Sequence, residues 1–275
     1  MPPYREIHAP PGVSGTIECF WHTRHTGAST ITHRVVPDGC ADLLFVHGMG
    51  NPVLQVAGTM TRFQDVALNP GEEFLGVRFR AAMGPAQLGV GAGEIVDEVV
   101  DLECLWGALA RRLCERLANA KTLARRTALL CDTFPVSAAR SPVQQAIGAL
   151  ENCRGRLSLD ALASQAGLSV RQFRRRCIEE SGLSPKLLAR ILRFRQTWQQ
   201  APREAGEQAR LAAECGYADQ SHMIAEFRRF SGRTPGKNVS LRAPVIGEQY
   251  FSMKSPSGSE RLEMTAPALS PQLRS

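Results

Sequence analysis

The strongest constraint on how this chain folds is an internal repeat in its last third. Ser158-Leu-Asp-Ala-Leu-Ala-Ser-Gln-Ala-Gly167 and Gln208-Ala-Arg-Leu-Ala-Ala-Glu-Cys-Gly216 each set apolar residues at helical spacing and stop on a glycine. A hydrophobic residue follows at once, Leu168 or Tyr217, and a capping residue, Ser169 or Asp219, opens a second helix. In the first copy Ser158 caps a helix whose inner face is Leu159, Leu162, Ala163 and Ala166, ended by Gly167. Ser169 and Gln172 then form a capping box, each side chain meeting a backbone N–H that the new helix leaves without a partner.

The second helix of the first copy turns Val170, Phe173 and Cys177 to one side and Arg171 and Arg175 to the other, with Arg174 on the flank. Its counterpart runs to about Phe230, buries Met223, Phe227 and Phe230, and exposes Ser221, His222, Ala225, Arg228 and Arg229. Between the copies, Ser184-Pro185 starts a helix reaching about Gln200, with Leu187, Ile191, Phe194 and Trp198 toward the core. At ~1.5 Å per residue that helix spans roughly 24 Å, a spacer able to hold two exposed helices near the ~34 Å between successive major grooves. A helix, a tight glycine turn and an arginine-faced helix match the geometry of major-groove recognition, where Arg bonds guanine O6 and N7 or grips phosphates. A solvated arginine-rich helix without a partner has the same local sequence.

Charge follows the repeat. Of the formal net charge of +7, residues 141–240 hold 16 Lys/Arg against 9 Asp/Glu, while the remainder holds 17 of each. Phosphate neutralisation supplies much of the affinity of DNA-binding modules, so a basic block beside a neutral one suggests a binding part and a non-binding part. A basic surface with no polyanion partner is the plain alternative.

At 275 residues the chain has room for two domains. From Ile17 to Phe79 short apolar runs such as Cys40-Ala-Asp-Leu-Leu-Phe-Val46 are broken by Pro37-Asp38-Gly39, Gly48-Met49-Gly50-Asn51-Pro52 and Asn69-Pro70-Gly71, the texture of strands and turns. From Val96 to Phe134 Leu102, Leu105, Trp106, Leu109, Leu113 and Leu117 mark an apolar helical stripe, predicting one or two helices. The fold class expected is therefore α+β: a β-rich domain over 1–135 ending in helices, a linker over 136–141, an all-α domain over 142–240 with two helix-turn-helix units joined by a linker helix, and a disordered Ser/Pro/Gly-rich tail over 241–275.

The eight cysteines form no C-x-x-C pair and read as buried thiols rather than a zinc ribbon or redox dithiol. His22, His25, His33 and His47 have no metal-ligand spacing, so no metal or other cofactor is expected. Asp38 and Asp42 flank Cys40, but Asp38-Gly39 reads as turn chemistry and Cys40 as core rather than nucleophile. Arg78 and Arg80, at period two on one strand, read either as a clamp for an acidic effector or as surface. No run approaches the ~20 apolar residues of a membrane span, and Met1 to Pro11 lacks an export pattern, so cytoplasmic location without a membrane partner is expected.

Leu162-Ala-x-x-Ala-Gly167-Leu-Ser169, Ser181-Gly-Leu-Ser-Pro-Lys186 and Cys215-Gly-Tyr-Ala-Asp-Gln-Ser-His222 through Phe227-Arg-Arg-Phe-Ser-Gly-Arg-Thr-Pro235 closely resemble the DNA-binding domain of AraC-type transcription regulators. The resemblance implies contacts to double-stranded DNA, in two successive major grooves, from Arg171, Gln172, Arg174 and Arg175 and from Gln220, Ser221 and His222; Arg228 and Arg229 join them as outward cations. Cys177 stands where the family usually has Phe, and Ala225 where it usually has Arg. Val36-Pro-Asp-Gly-Cys-Ala-Asp-Leu-Leu-Phe45, Gly76-Val-Arg-Phe-Arg80 and Leu102-x-x-Leu-Trp-Gly107 resemble an uncharacterised β-rich domain, considered cupin-like and sensory, that is often fused to AraC-type modules. Together these imply a non-enzymatic regulator, an activator, with RNA polymerase, a small-molecule effector and a second copy of the chain as further partners. The alternative is a cupin-like binding protein or enzyme that the helical half only localises.

Overall fold

The computed structural model describes residues 4–48, 50–134, 140–200 and 207–235; most of the expected linker and the whole expected tail lie outside them. Antiparallel strands make the first half. β1 (Tyr4–His8), β2 (Ile17–Arg24), β4 (Asp42–His47), β5 (Val53–Ala57), β7 (Glu73–Phe79) and β8 (Val99–Asp101) form one sheet in the order β1-β2-β7-β4-β5-β8, and β3 (Ile31–Val35) and β6 (Gln64–Leu68) form a second.

The long apolar run of β4 follows from burial on both faces. Leu44 and Val46 point with Cys19 and Trp21 toward Val66 and Leu68 of the small sheet. Leu43 and Phe45 point the other way, with Phe20, Val77 and Phe79, into a core closed by helices. Those helices are α1 (Gly84–Leu88), α2 (Leu102–Trp106), α3 (Ala108–Asn119) and α4 (Leu123–Thr133). The expected helical stripe is present, with Leu102, Trp106, Leu113 and Leu117 buried. Gly107, at φ 54° and ψ −125°, cuts it into α2 and α3. Phe134, at the end of the β-rich domain, sets its ring edge-on against Phe79 at 5.0 Å and closes the core.

The space between the sheets is filled by side chains. The Trp21 indole lies across Gly76, where a Cβ would fall 2.0 Å from the ring. Beside it Arg78 is 3% exposed, its Nε 3.2 Å from Asp38 and 3.4 Å from Asp42, while the indole N–H donates to Asp42 at 3.0 Å. Burial pushes the Asp42 carboxyl up despite Arg78, because Asp38 shares the same guanidinium. Arg78 is thus committed to two carboxylates inside the domain, and Arg80 lies just past the end of β7, where it donates to the Ser14 carbonyl at 2.8 Å. The two arginines do not form an open clamp; the carboxylates that occupy Arg78 come from the turn before β4 (Asp38) and from the first residue of β4 (Asp42), a pairing that the periodicity of β7 cannot show. Asp38 also accepts from the Cys40 N–H at 2.8 Å, the turn expected there.

Burial of the thiols is only partly as expected: Cys19, Cys40, Cys177 and Cys215 are buried, Cys114, Cys131 and Cys153 half-buried, and Cys104 exposed on the outer side of α2. His22 pairs with Glu73 at 2.9 Å, and His25 meets the Ser29 carbonyl at 2.7 Å. No helix among the described residues is long and apolar enough to cross a membrane.

The helical half comprises α5 (Pro142–Asn152), α6 (Leu159–Gln165), α7 (Val170–Ser181), α8 (Pro185–Gln200), α9 (Gln208–Glu214) and α10 (Gln220–Ser231). Its core does not stop at the domain boundary, since Val36, Ala81 and Ala82 belong to it. α8 carries two buried faces rather than the single one expected. Ile191, Phe194 and Trp198 join Phe227 and Phe230 in an aromatic core, while Leu188 and Leu192 face Gly39 of the β domain. Next to that contact Arg195 inserts between Glu18 of β2 and Glu151 of α5, and the Cys40 thiol donates to Glu18 at 3.5 Å. Burial alone would raise the Glu18 carboxyl; the adjoining Arg195 outweighs it and holds Glu18 below the usual range.

Two stability predictions follow from these contacts. Gly76→Ala drives a methyl into the Trp21 ring and is expected to cost on the order of 1–3 kcal/mol in denaturant unfolding, with Trp21 fluorescence altered in the native state. An unchanged unfolding midpoint would show that the ring can move aside. Arg195→Gln leaves Glu18 facing Glu151, which keeps only Arg80 at 3.9 Å, and is expected to cost on the order of 1–3 kcal/mol for this partly exposed pair. Adding Glu18→Gln is expected to recover part of that loss; no recovery in the double-mutant cycle would mean that Arg195 acts by packing alone.

Candidate nucleic-acid interface

The repeat seen in the sequence is reproduced bond for bond. In the first unit Ala166 N–H donates to Leu162 O at 3.1 Å, Gly167 to Ser164 O at 3.0 Å and Leu168 to Ala163 O at 2.9 Å. In the second, Cys215 donates to Leu211 O at 2.9 Å, Gly216 to Ala213 O at 3.1 Å and Tyr217 to Ala212 O at 2.9 Å. Both turns satisfy the last helical carbonyls this way because Gly167 and Gly216 take φ of +64° and +77°, a conformation costly for any residue with a Cβ.

The helix starts agree as well. Ser158 accepts from Ala161 N–H at 3.2 Å, Ser169 and Gln172 close their capping box at 3.3 and 3.0 Å, and Asp219 accepts from His222 N–H at 2.7 Å. Fifty positions separate Ser169 from Asp219, Phe173 from Met223, Cys177 from Phe227 and the C-terminal glycines Gly182 and Gly232. In that register Arg171 corresponds to Ser221, Gln172 to His222 and Arg175 to Ala225.

On α7, Arg171, Gln172, Arg174 and Arg175 are all exposed. Arg175 lies 3.7 Å from Glu179, whereas Arg171 and Arg174 have no carboxylate partner among the described residues. The Gln172 carbonyl oxygen is committed to the cap. Two residues of this face were not singled out from the sequence. Arg176 is exposed on the flank opposite Arg174, and Ile178, 46% exposed, continues the row from Arg171 through Arg175. Charge count holds the signal for the first; the second is an apolar residue one step outside the core stripe, legible only once the helix axis is fixed.

On α10, Gln220, Ser221, His222, Ala225, Arg228 and Arg229 are exposed. The Gln220 amide donates to Gln208 at 2.9 Å, and the His222 ring stands edge-on to Tyr217 at 5.4 Å. Glu226, buried beneath them, pairs with Arg190 of α8 and ties α10 to α8. The first unit therefore presents several cations and the second a smaller, more neutral surface.

Two exposed, capped helices, each following a helix and a glycine turn on a shared aromatic core, define a double helix-turn-helix protein. Sequence comparison agrees: residues 162–238 match the helix-turn-helix domain family, and residues 5–101 match a family described as a domain of unknown function, DUF6597. The chain carries an AraC-type helix-turn-helix DNA-binding domain joined to a DUF6597 domain. No curated protein matches the sequence. Among solved structures it is similar to ToxT from Vibrio cholerae, at 8% identity and a TM-score of 0.46, over 81% of this chain and 98% of that one. It is similar also to ToxT from strain SCE256 with an unsaturated fatty acid bound, at 7% identity and a TM-score of 0.45, over 83% and 98%.

Proposed function

We propose that this chain is a sequence-specific transcription activator that reads its operator mainly through α7, acts on RNA polymerase, and is modulated through its N-terminal domain by a small molecule or by self-association. The carrying observation is the row of exposed arginines on α7 set against Ser221 and Ala225 at the equivalent positions of α10. Arg171, Gln172, Arg174 and Arg175 supply base and phosphate contacts in one major groove, and Gln220, Ser221, His222, Arg228 and Arg229 make the weaker set in the next.

Selection of bound duplexes from a random pool is expected to enrich one motif with a well-defined half and a degenerate half. Arg175→Ala should weaken operator binding by about tenfold to a hundredfold, the ~1–3 kcal/mol of a lost arginine contact, with Ser221→Ala well below that. Failure to enrich any motif at moderate salt would overturn the reading, and the reverse order of the two variants would overturn the dominance of the first unit.

Modulation is supported by where the β domain touches the helical one. Arg34 of β3 donates to the Ser231 carbonyl at the end of α10 at 3.2 Å, and Gly182, ending α7, sits against the Ala92 carbonyl and Val96. A candidate effector cleft of about 490 Å³ lies between β5, β8 and α3, lined by Asp101, Glu103, Arg111, Cys114 and Glu115. Its acidic lining suits a polar or cationic compound rather than the acidic one that Arg78 and Arg80 suggested. A metabolite screen by thermal shift, paired with light scattering, is expected to return a compound that stabilises the chain saturably. Concentration-dependent dimerisation without any such compound would leave self-association as the input.

A further inference from the structure

Beside the recognition face of α10 a groove of about 560 Å³ runs between α8 and α10. Lys186, Arg190 and Arg193 form one wall at i, i+4 and i+7 of α8, a single stripe of that helix. His222, Ala225, Glu226 and Arg229 form the other at i, i+3, i+4 and i+7 of α10. Glu226, the one carboxylate, is taken by Arg190. Among the described residues no carboxylate pairs with Lys186, Arg193 or Arg229.

Arg193 is held in place rather than free to sweep through solvent. Its guanidinium stands 5.8 Å from the Tyr217 ring centroid, and its stem runs past Gly155 and Gly216, where an added Cβ would come within 3.2 and 4.0 Å of it. Its Nε is buried without a hydrogen-bond partner. Ala225 leaves the groove open at the middle of the exposed face of α10.

We propose that this groove seats backbone phosphates of the DNA strand flanking the major groove that α10 enters, so that the spacer helix α8 is itself a DNA-binding element through Lys186 and Arg193. The inference rests on the DNA-binding reading above and deepens it. A helix lying in a major groove has a phosphate backbone along each edge, and along the α8 edge of α10 Lys186, Arg193 and Arg229 stand together in one groove without a carboxylate partner among the described residues. The small side chain at Ala225 then admits the strand instead of merely lacking a contact. Phosphate contacts of this kind grip without reading sequence, which complements a second unit short of arginine.

The test uses the full chain, its selected operator, and an unrelated duplex of equal length, with binding measured by anisotropy across a salt series. Lys186→Gln and the Lys186→Gln/Arg193→Gln pair are expected to weaken both duplexes by a similar several-fold factor for each cation removed. The log–log salt slope should shrink by about 0.9 per contact, leaving the ratio between the duplexes unchanged. Because Arg193 is partly packed, Ala225→Glu serves as an independent variant that puts a carboxylate into the groove from an exposed position; it too should weaken both duplexes alike. Wild-type affinity and slope in these variants, while Arg175→Ala still weakens the operator, would overturn the phosphate seat and leave the DNA-binding reading standing. A loss confined to the operator would overturn it in favour of base reading. Failure of the wild-type chain to bind either duplex would overturn both.

Discussion

The arrangement of this protein turns on one half-buried cation. Arg195 sits where β2, α5 and α8 meet, with Glu18 and Glu151 as its counter-charges and the Cys40 thiol alongside. A guanidinium largely withdrawn from water is best held with partners in place, so this pairing fixes the rotation of α8 as well as its position. With that rotation set, every side of α8 has a different task. Phe194 and Trp198 build the core shared with α10, Leu188 and Leu192 press on the β domain, and Lys186, Arg190 and Arg193 are left facing the groove beside α10.

The two helix-turn-helix units show how a scaffold can be repeated while its surface is not. Equivalent turns, caps and terminal serines recur: Ser181 bonds Cys177 O at 2.6 Å and Ser231 bonds Phe227 O at 2.6 Å. These bonds are local and set by backbone geometry, so they tolerate any outward side chain. At the position equivalent to Phe227, the smaller Cys177 sets its thiol 3.4 Å from the Leu183 carbonyl and 3.8 Å from the Ser181 hydroxyl. The outward residues then diverge, with arginine at 171 and 175 against serine and alanine at 221 and 225.

Local chemistry was legible in the sequence. The caps at Ser158, Ser169 and Asp219, the glycine turns and the outward arginines all depend on residues within four positions of one another. What escaped depends on distant partners. β1 and β8 are short and take their places by pairing with β2 and β5, not by a pattern of their own. Arg78 looked available because Asp38 and Asp42 lie some forty positions earlier, and the pairing of Arg190 with Glu226 spans two helices. The second apolar face of α8, Leu188 and Leu192, reads as redundancy until the β domain is present to cover it.

The same nonlocal contacts bear on how one half could govern the other. Among the described residues, those of α7 and α10 on the faces proposed to meet DNA are exposed rather than packed on the β domain. The β domain touches both helices at their C-terminal glycines, Gly182 against Ala92 and Val96, and Gly232 against Phe63 and Arg34. A contact at a helix end acts with the full length of the helix as its lever arm, so small shifts between β-domain loops move the opposite ends of α7 and α10 by more. Because Arg34 is itself held by Asp65 of β6, and Val96 lies just after the turn that leads to β8, the two glycine contacts reach different parts of the β domain. Under the proposed function, a ligand or partner that altered the spacing between those parts would change the angle between α7 and α10, and with it the fit of the two helices to successive grooves of one duplex.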